Sequence, residues 1–141
     1  MSQYKFEQIK SILGTPEYEE GKVAIYNMDC IKGMSMIPKE LIDLTITSPP
    51  YNIGKEYEEI SALDDYILWC ENWIKEIHRI TKENGAFWLN LGYLSVPEKG
   101  HSVPIPYLLW DKTPFFFLQE IVWNYAAGVA CRKTYSPRNE K

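Results

Sequence analysis

The chain has 141 residues and a net charge of −4, and 45% of its residues are hydrophobic and 14% aromatic. This length suits one domain with a sizeable core, and the apolar content excludes a disordered protein. We find no secretion-type leader and no apolar run long enough to cross a bilayer, so we expect a soluble, cytoplasmic protein without a membrane partner. The three cysteines are widely spaced and form no Cys-x-x-Cys pair, so the sequence predicts neither a disulfide framework nor a metal site.

The first half of the chain alternates between helical and strand patterns. Residues 6–13 carry apolar side chains at helical spacing, and residues 23–26 form an apolar segment that predicts a strand. Asp29 follows that strand and can cap a short helix that ends at Pro38. Residues 41–47 are apolar and β-branched, as expected for a strand that is buried on both faces.

The strongest helix signal lies in residues 63–80. Ser61 and Asp64 fit the capping-box pattern at its start, and apolar residues then recur at helical spacing. Gly85 is predicted to end this helix in a left-handed C-terminal cap, after which residues 86–91 predict a strand. The rest of the chain predicts a loop, a short helix and a further strand, at residues 97–106, 107–110 and 117–125.

Strands that alternate with helices predict an α/β fold, with a mostly parallel sheet flanked by helices. In such sheets, ligands bind beyond the carboxyl ends of the strands. We therefore expect functional residues directly after strands.

The segment Ser48-Pro49-Pro50-Tyr51 occupies such a position, immediately after the strand at residues 41–47. Two consecutive prolines fix two φ angles and remove two backbone donors, which holds the Pro49 carbonyl in place to accept a hydrogen bond from a ligand. The Ser48 hydroxyl is an adjacent acceptor, and Tyr51 offers its face to a planar ring. The alternative is a rigid turn in which Tyr51 only packs.

Residues 47–52, Thr-Ser-Pro-Pro-Tyr-Asn, resemble the catalytic motif of the DNA methyltransferases that modify exocyclic amines, Asp/Asn/Ser-Pro-Pro-Tyr/Phe/Trp. The resemblance implies a partial Rossmann-like fold, S-adenosylmethionine (SAM) as cofactor, and double-stranded DNA with a flipped-out base as substrate. It also implies a site-specific enzyme of a bacterial restriction-modification system. Serine in the first position is typical of the cytosine-N4 branch, whereas Asp or Asn more often marks adenine-N6 enzymes.

The resemblance and the charge pattern together assign three groups of site residues. The catalytic group comprises Ser48, Pro49, Pro50 and Tyr51. The cofactor-binding group comprises Asp29, Thr47 and Ser48. The DNA-binding group comprises Tyr51, Asn52, Lys55, Arg132, Lys133 and Arg138, of which the last three belong to a basic stretch that can contact the DNA backbone.

Simpler roles stand beside several of these assignments. Asp29 can be a helix cap only, Lys55 a solvated side chain, and the C-terminal cations a means of keeping the chain end soluble. Asn90 and Trp123 resemble family positions near the site, but we interpret them as packing or local hydrogen-bonding residues.

One family element is missing from this sequence. The glycine-rich turn that approaches SAM, typically Phe-x-Gly-x-Gly, has no counterpart, because no two of the eight glycines are separated by a single residue. We therefore expect residues 1–141 to be the catalytic-motif portion of a methyltransferase domain, truncated before the target-recognition region and the SAM motif, and inactive alone. It would then need a complementing C-terminal segment or self-association. The alternative is a catalytically inactive remnant or binding module.

Overall fold

The computed structural model describes residues 3–124 and 139–140. Its helices are α1 (Gln3–Leu13), α2 (Cys30–Met36), α3 (Leu63–Ile80) and α4 (Ile105–Leu108). Its strands are β1 (Tyr18–Glu20), β2 (Val23–Ile25), β3 (Ile42–Thr47), β4 (Thr81–Leu89), β5 (Tyr93–Val96), β6 (Gly100–Pro104), β7 (Trp123–Asn124) and β8 (Asn139–Glu140).

These elements form two compact units. The first contains the described residues up to Thr45 together with Asn72–Trp88, and the second contains Ile46–Glu71 together with the described residues from Leu89 onward. Consequently β3, α3 and β4 each contribute residues to both units.

A small apolar cluster organises the first unit. Ile37, Leu41 and Ile80 are buried together, and partly buried side chains of α1, α2 and β3 pack against them: Ile9, Leu13, Met34 and Ile42. Arg79 of α3 donates to the carbonyls of Ile37 and Met34 at 2.8 and 2.7 Å. The guanidinium thereby satisfies carbonyls at the end of α2, which Asp29 caps at its start as predicted.

The strands β3 and β4 pair in parallel, as expected for an α/β sheet. The Leu41 amide donates to the Ile80 carbonyl at 2.8 Å, and Lys82 forms an ion pair with Asp43. The hydrogen bond from Lys82 lowers the pKa of the Asp43 carboxyl. The predicted burial of this strand on both faces is wrong, because the side chain of Ile46 is 70% exposed. Within the described residues β3 has only β4 as a neighbour.

The predicted long helix is confirmed as α3, but its predicted end is wrong. The helix passes directly into β4 at Thr81, whose hydroxyl donates to the Ile77 carbonyl at 2.6 Å. Gly85 therefore lies inside β4, and it is not among the positive-φ glycines of the described chain. A Cβ there would lie 3.1 Å from the Asp43 carbonyl oxygen and 2.6 Å from Cγ2 of Thr81, so close backbone approach explains this glycine.

Two hairpins differ in part from the prediction. In the first unit β2 overlaps the predicted strand at residues 23–26 and pairs with β1, which was not predicted as a strand. In the second unit β5 pairs with β6, and β6 lies within the predicted loop at residues 97–106. The short helix α4 begins two residues earlier than predicted. Of the predicted strand at residues 117–125, only Trp123–Asn124 is a strand, paired with β8, and Tyr125 lies outside the described residues.

The core of the second unit lies around the β5–β6 hairpin and the first half of α3. Its buried apolar side chains are Tyr66, Cys70, Leu91, Leu94, Val96, Ile105 and Leu109. Among the described helices, none is both long and apolar enough to span a membrane.

The close approach at Gly85 is testable by substitution. Gly85→Ala should lower the free energy of unfolding by about 1–3 kcal/mol, because the new Cβ overpacks against backbone, and Gly85→Asn should lower it further. If Gly85 were instead a left-handed cap, Gly85→Asn would be more stable than Gly85→Ala, since Asn tolerates that conformation better than Ala. Urea unfolding followed by circular dichroism measures both. Gly100→Ala is the matched control, because its Cβ would meet only Cγ2 of Val103 at 3.6 Å.

Candidate active site

A cleft of about 330 Å³ lies directly after β3, in the second unit. Its walls are formed by Ser48, Pro49, Pro50, Tyr51, Lys55 and Tyr57. The cleft therefore contains the complete predicted catalytic segment and one predicted DNA-binding lysine. Tyr57, which is 71% exposed, is an additional aromatic wall that the sequence did not single out.

Three polar groups meet at one edge of this cleft. The Ser48 hydroxyl lies 2.9 Å from the Tyr51 hydroxyl, and Nδ2 of Asn90 donates to the Tyr51 hydroxyl at 3.0 Å. Nδ2 of Asn90 also lies 3.4 Å from Oγ of Ser48, and the Tyr51 hydroxyl donates to the Asn90 carbonyl at 3.4 Å. Asn90 thus makes local hydrogen bonds, and its partners are the two hydroxyls of the predicted catalytic segment.

Asn90 reaches this position because of the strand pairing. Its backbone amide donates to the Thr47 carbonyl at 3.0 Å, which holds the end of β4 beside the end of β3. The sequence signal for Asn90 was a polar residue directly after an apolar strand. That signal is weak, because many such residues only cap or pack.

The carbonyls of the two prolines have different environments. The Pro50 carbonyl accepts a hydrogen bond of 2.9 Å from the Tyr66 hydroxyl, whereas the Pro49 carbonyl accepts none from the described residues. Tyr66 is only 4% exposed, and burial raises the pKa of its phenol. The phenol therefore stays protonated at neutral pH and remains a donor to Pro50.

The ring of Tyr51 is half-buried and leans against the backbone at Gly92. A Cβ at Gly92 would lie 2.8 Å from Cε2 of the Tyr51 ring, so any side chain there would displace the ring. Gly92 is a site residue that sequence reasoning missed. A close approach of backbone to ring has no sequence signal beyond the glycine itself.

Residues 52–61 form a closed loop beside the cleft. The Asn52 side chain donates to the Ser61 carbonyl at 3.0 Å and accepts from the Ser61 amide at 2.8 Å. The Glu58 carboxylate accepts from the amides of Ile53 and Lys55 at 3.1 and 3.4 Å. Asn52 therefore holds the two ends of the loop together, and Ser61, predicted to start a capping box, is bonded to Asn52.

The loop carries Lys55 into the cleft. Its Nζ lies 5.8 Å from the ring centroids of both Tyr51 and Tyr57. The hydrogen bond with Tyr57 raises the pKa of Lys55, so the side chain stays cationic throughout the neutral range. A cation held over two rings at the mouth of a cleft suits an anionic or aromatic ligand.

The remaining predicted site residues belong to the first unit or lie outside the described residues. Asp29 belongs to the first unit, where its Oδ1 accepts from the Lys32 amide at 2.8 Å as the cap of α2. The basic residues Arg132, Lys133 and Arg138 lie outside the described residues. Among the described residues no group of His, Cys, Asp or Glu side chains is arranged to hold a metal.

The sequence pattern of the DNA methylase family N6_N4_Mtase matches residues 42–141. This chain therefore belongs to that family of DNA methyltransferases. It is 56% identical to the type II methyltransferase M.ScaI of Streptomyces caespitosus, over 97% of this chain and 45% of that protein. It is 30% identical to the DNA adenine methyltransferase YhdJ of Escherichia coli K12, over 86% of this chain and 40% of that protein. The chain thus spans less than half the length of either relative.

Solved structures confirm the fold class. The PvuII DNA methyltransferase (cytosine-N4-specific) superposes with a TM-score of 0.58 at 19% identity, covering 75% of this chain and 39% of that one. The mixed α/β architecture with the parallel β3–β4 pair is consistent with the predicted partial Rossmann-like fold. Among the described residues the other strand pairs are antiparallel hairpins or ribbons.

The groups that line the cleft are those expected for a planar base. The cleft offers a hydroxyl, a carbonyl and aromatic faces, which suit a planar ring with an amine edge. Of the groups predicted to bind SAM, the Asp29 carboxylate caps α2 and the Thr47 carbonyl accepts from the Asn90 amide. The glycine-rich turn expected to approach SAM is absent from this sequence.

The loop closure by Asn52 predicts a protease phenotype. Asn52→Ala removes two hydrogen bonds that hold the loop ends, which should raise the open population and accelerate trypsin cleavage after Lys55 by about tenfold. Mass spectrometry of timed digests measures the rate. Glu59→Gln, in the same loop, is the control and should leave the rate unchanged. Equal rates in wild type and Asn52→Ala would contradict the closing role.

Proposed function

We propose that this chain contributes the base-binding and catalytic portion of a SAM-dependent, site-specific DNA methyltransferase that modifies the exocyclic amine of a flipped base, cytosine N4 in particular. The observation that carries the proposal is the pair of adjacent acceptors in the cleft, the Ser48 hydroxyl and the Pro49 carbonyl. The Pro49 carbonyl accepts no hydrogen bond from the described residues, whereas the neighbouring Pro50 carbonyl is occupied by Tyr66.

The chemistry of the amine explains why two acceptors are needed. Its lone pair is delocalised into the base, so the nitrogen is a poor nucleophile. Ser48 and the Pro49 carbonyl each accept one amine hydrogen, which localises the lone pair and orients it. SAM, when bound, supplies an electrophilic methyl group. Transfer to the nitrogen would break the bond between the methyl group and the sulfonium sulfur, leave S-adenosylhomocysteine as the neutral thioether, and release one amine proton to solvent.

Other residues of the cleft have supporting roles in this proposal. Tyr51 stacks on the flipped base, and Lys55 contacts a phosphate beside it, because its charge is retained and it stands at the mouth of the cleft. Pro50, fixed by Tyr66, sets the position of the carbonyl before it. Asn52 supports Lys55 by closing the loop, and the C-terminal Arg132, Lys133 and Arg138 contact the DNA backbone.

The choice of cytosine rests on Ser48, since serine in this position is typical of the N4 branch. Adenine N6 is the second candidate, and the Escherichia coli relative, named a DNA adenine methyltransferase, favours it. The third is an inactive remnant or binding module, which the incomplete SAM pocket favours. Residues 1–141 are proposed to be the catalytic-motif portion of a domain whose other segments supply Phe-x-Gly-x-Gly. In the complete domain Asp29, Thr47 and Ser48 would then contribute to binding SAM.

A chimeric methyltransferase tests the reaction and the base. The chain replaces the matching 45% of the Streptomyces caespitosus relative, and nucleoside mass spectrometry identifies the methylated base in treated DNA. We expect N4-methylcytosine, and Ser48→Ala should reduce turnover by about a hundredfold, because one of two aligned acceptors is lost. N6-methyladenine would overturn the base assignment. If the chimera is inactive while the unmodified relative is active under the same conditions, the result would support the alternative that this chain is an inactive remnant.

Calorimetric titration of the chain alone with SAM tests the incomplete pocket. We expect no heat of binding at micromolar concentrations, because the glycine-rich turn that approaches the cofactor is absent from this sequence. The chimera should bind SAM in the same titration. Micromolar binding by the chain alone would contradict the proposal that other segments complete the pocket.

A further inference from the structure

We propose that Tyr57 is a substrate-contacting residue, whose ring stacks on the flipped base and forms with Tyr51 an aromatic pair that receives it. This inference rests on the proposed function, which gives the stacking role to Tyr51 alone. The evidence is the place of Tyr57 in the wall of the cleft, its high exposure, and the turn that holds its backbone.

The ring of Tyr57 is not part of a core. The residue is 71% exposed, although it lines the same cleft as Ser48 and Tyr51. It also lines a second cavity, of about 270 Å³, together with Pro50 and Trp69. Because the ring borders two cavities, its apolar surface contributes little to folding and is available to a ligand.

Backbone hydrogen bonds hold Tyr57 in this position. It lies in a turn at residues 55–58, in which the Glu58 amide donates to the Lys55 carbonyl at 2.9 Å. The Glu58 carboxylate accepts from the amides of Ile53 and Lys55, which ties the turn to the start of the loop. A turn fixed in this way limits the positions of the Tyr57 ring, so less entropy is lost when a base binds.

The two tyrosine rings are close enough to contact one base. Nζ of Lys55 lies 5.8 Å from the ring centroid of Tyr51 and 5.8 Å from that of Tyr57. The two centroids are therefore separated by no more than twice that distance. Aromatic rings in contact have centroids roughly 4.5–7 Å apart, so a planar base between the tyrosines can contact both.

The hydroxyl of Tyr57 has a different partner from the one proposed for its ring. It is hydrogen-bonded to Lys55, and this bond raises the pKa of the ammonium group. In the proposed function Lys55 contacts a phosphate. Loss of the hydroxyl would therefore affect the phosphate contact, whereas loss of the ring would affect binding of the base.

Two substitutions at residue 57 separate stacking from support of Lys55. Tyr57→Phe removes the hydroxyl and keeps the ring, whereas Tyr57→Leu removes both. If Tyr57 only supported Lys55, the two variants would be equally impaired. Tyr107→Leu is the matched control, because Tyr107 is 60% exposed in the same unit and does not line the cleft.

In the chimeric methyltransferase we expect Tyr57→Leu to lower kcat/KM for DNA by about ten- to a hundredfold, as for the loss of stacking on one base. Tyr57→Phe should retain most of the wild-type kcat/KM, and Tyr107→Leu should match the wild type. The melting temperatures should stay close to that of the wild type, because neither ring is buried. Equal losses in Tyr57→Phe and Tyr57→Leu would overturn the role of the ring.

Photocrosslinking detects the contact itself. The DNA carries 5-iodocytosine at the methylated position, or 8-bromoadenine if adenine is the methylated base, and light joins this probe to an aromatic ring that touches it. Trypsin cleaves after Lys55, so Tyr51 and Tyr57 lie on different peptides, which mass spectrometry distinguishes. We expect crosslinks to both peptides, and Tyr57→Leu should abolish the second. Crosslinks to the Tyr51 peptide alone would contradict the inference.

Failure of this inference is distinguishable from failure of the proposed function. If Ser48→Ala is fully active, if neither peptide is crosslinked, or if the wild-type chimera is inactive beside an active relative, both are wrong. If Ser48→Ala is impaired and the Tyr51 peptide is crosslinked, while Tyr57→Leu is as active as the wild type, the proposed function is retained and the role of Tyr57 is overturned.

Discussion

The backbone hydrogen bond from Asn90 to Thr47 joins the carboxyl ends of two parallel strands, and the geometry of the cleft depends on it. Two parallel strands end at the same edge of the sheet. Ser48 and Asn90, which are 42 positions apart in sequence, therefore meet there. The prolines after Thr47 then prevent the first strand from continuing, and the polar side chain after the second strand faces the hydroxyls it must contact. An interaction between main-chain atoms thus places the side chains that are proposed to act on the substrate.

Hydrogen bonds and close packing on either side of the cleft restrict movement of the predicted catalytic segment, residues 48–51. Tyr66, buried on α3, donates to the carbonyl of Pro50, while Gly92 allows the backbone to lie against the ring of Tyr51. The loop at residues 52–61 is closed by Asn52 and Ser61 through two hydrogen bonds. Each support removes a degree of freedom from a group whose alignment would set the rate in the proposed reaction, which is the physical basis of preorganisation.

The elements that sequence predicted best have local causes. The helix α3 follows from apolar periodicity, the cap at Asp29 from a carboxylate beside free amides, and the position of the cleft from a rigid proline pair at the end of β3. The errors have causes that are distant in the chain. Gly85 was interpreted through its freedom to adopt positive φ, whereas it is needed because the carbonyl of Asp43 lies close to it. The two hairpins depend on pairing partners rather than on the residues of each strand alone.

Asn90 illustrates the same limit at the site. Its residue type and its place after a strand indicated local hydrogen bonding, but no periodicity or motif identifies Ser48 and Tyr51 as the partners. That identity comes from strand register, which is a property of two segments together. The exposure of Ile46 has a similar origin, because burial of a strand depends on what covers it.

The proline pair after β3 also disfavours pairing of the Pro49 carbonyl with another backbone segment. A backbone carbonyl at the end of a strand can ordinarily accept a hydrogen bond from the backbone amide of an added strand. Because Pro49 and Pro50 have no backbone N–H, they cannot donate to an added strand. Such a strand would gain at most half of the usual backbone hydrogen bonds at these two residues. Addition of a strand is therefore disfavoured beside the Pro49 carbonyl, which is the proposed acceptor for the substrate amine.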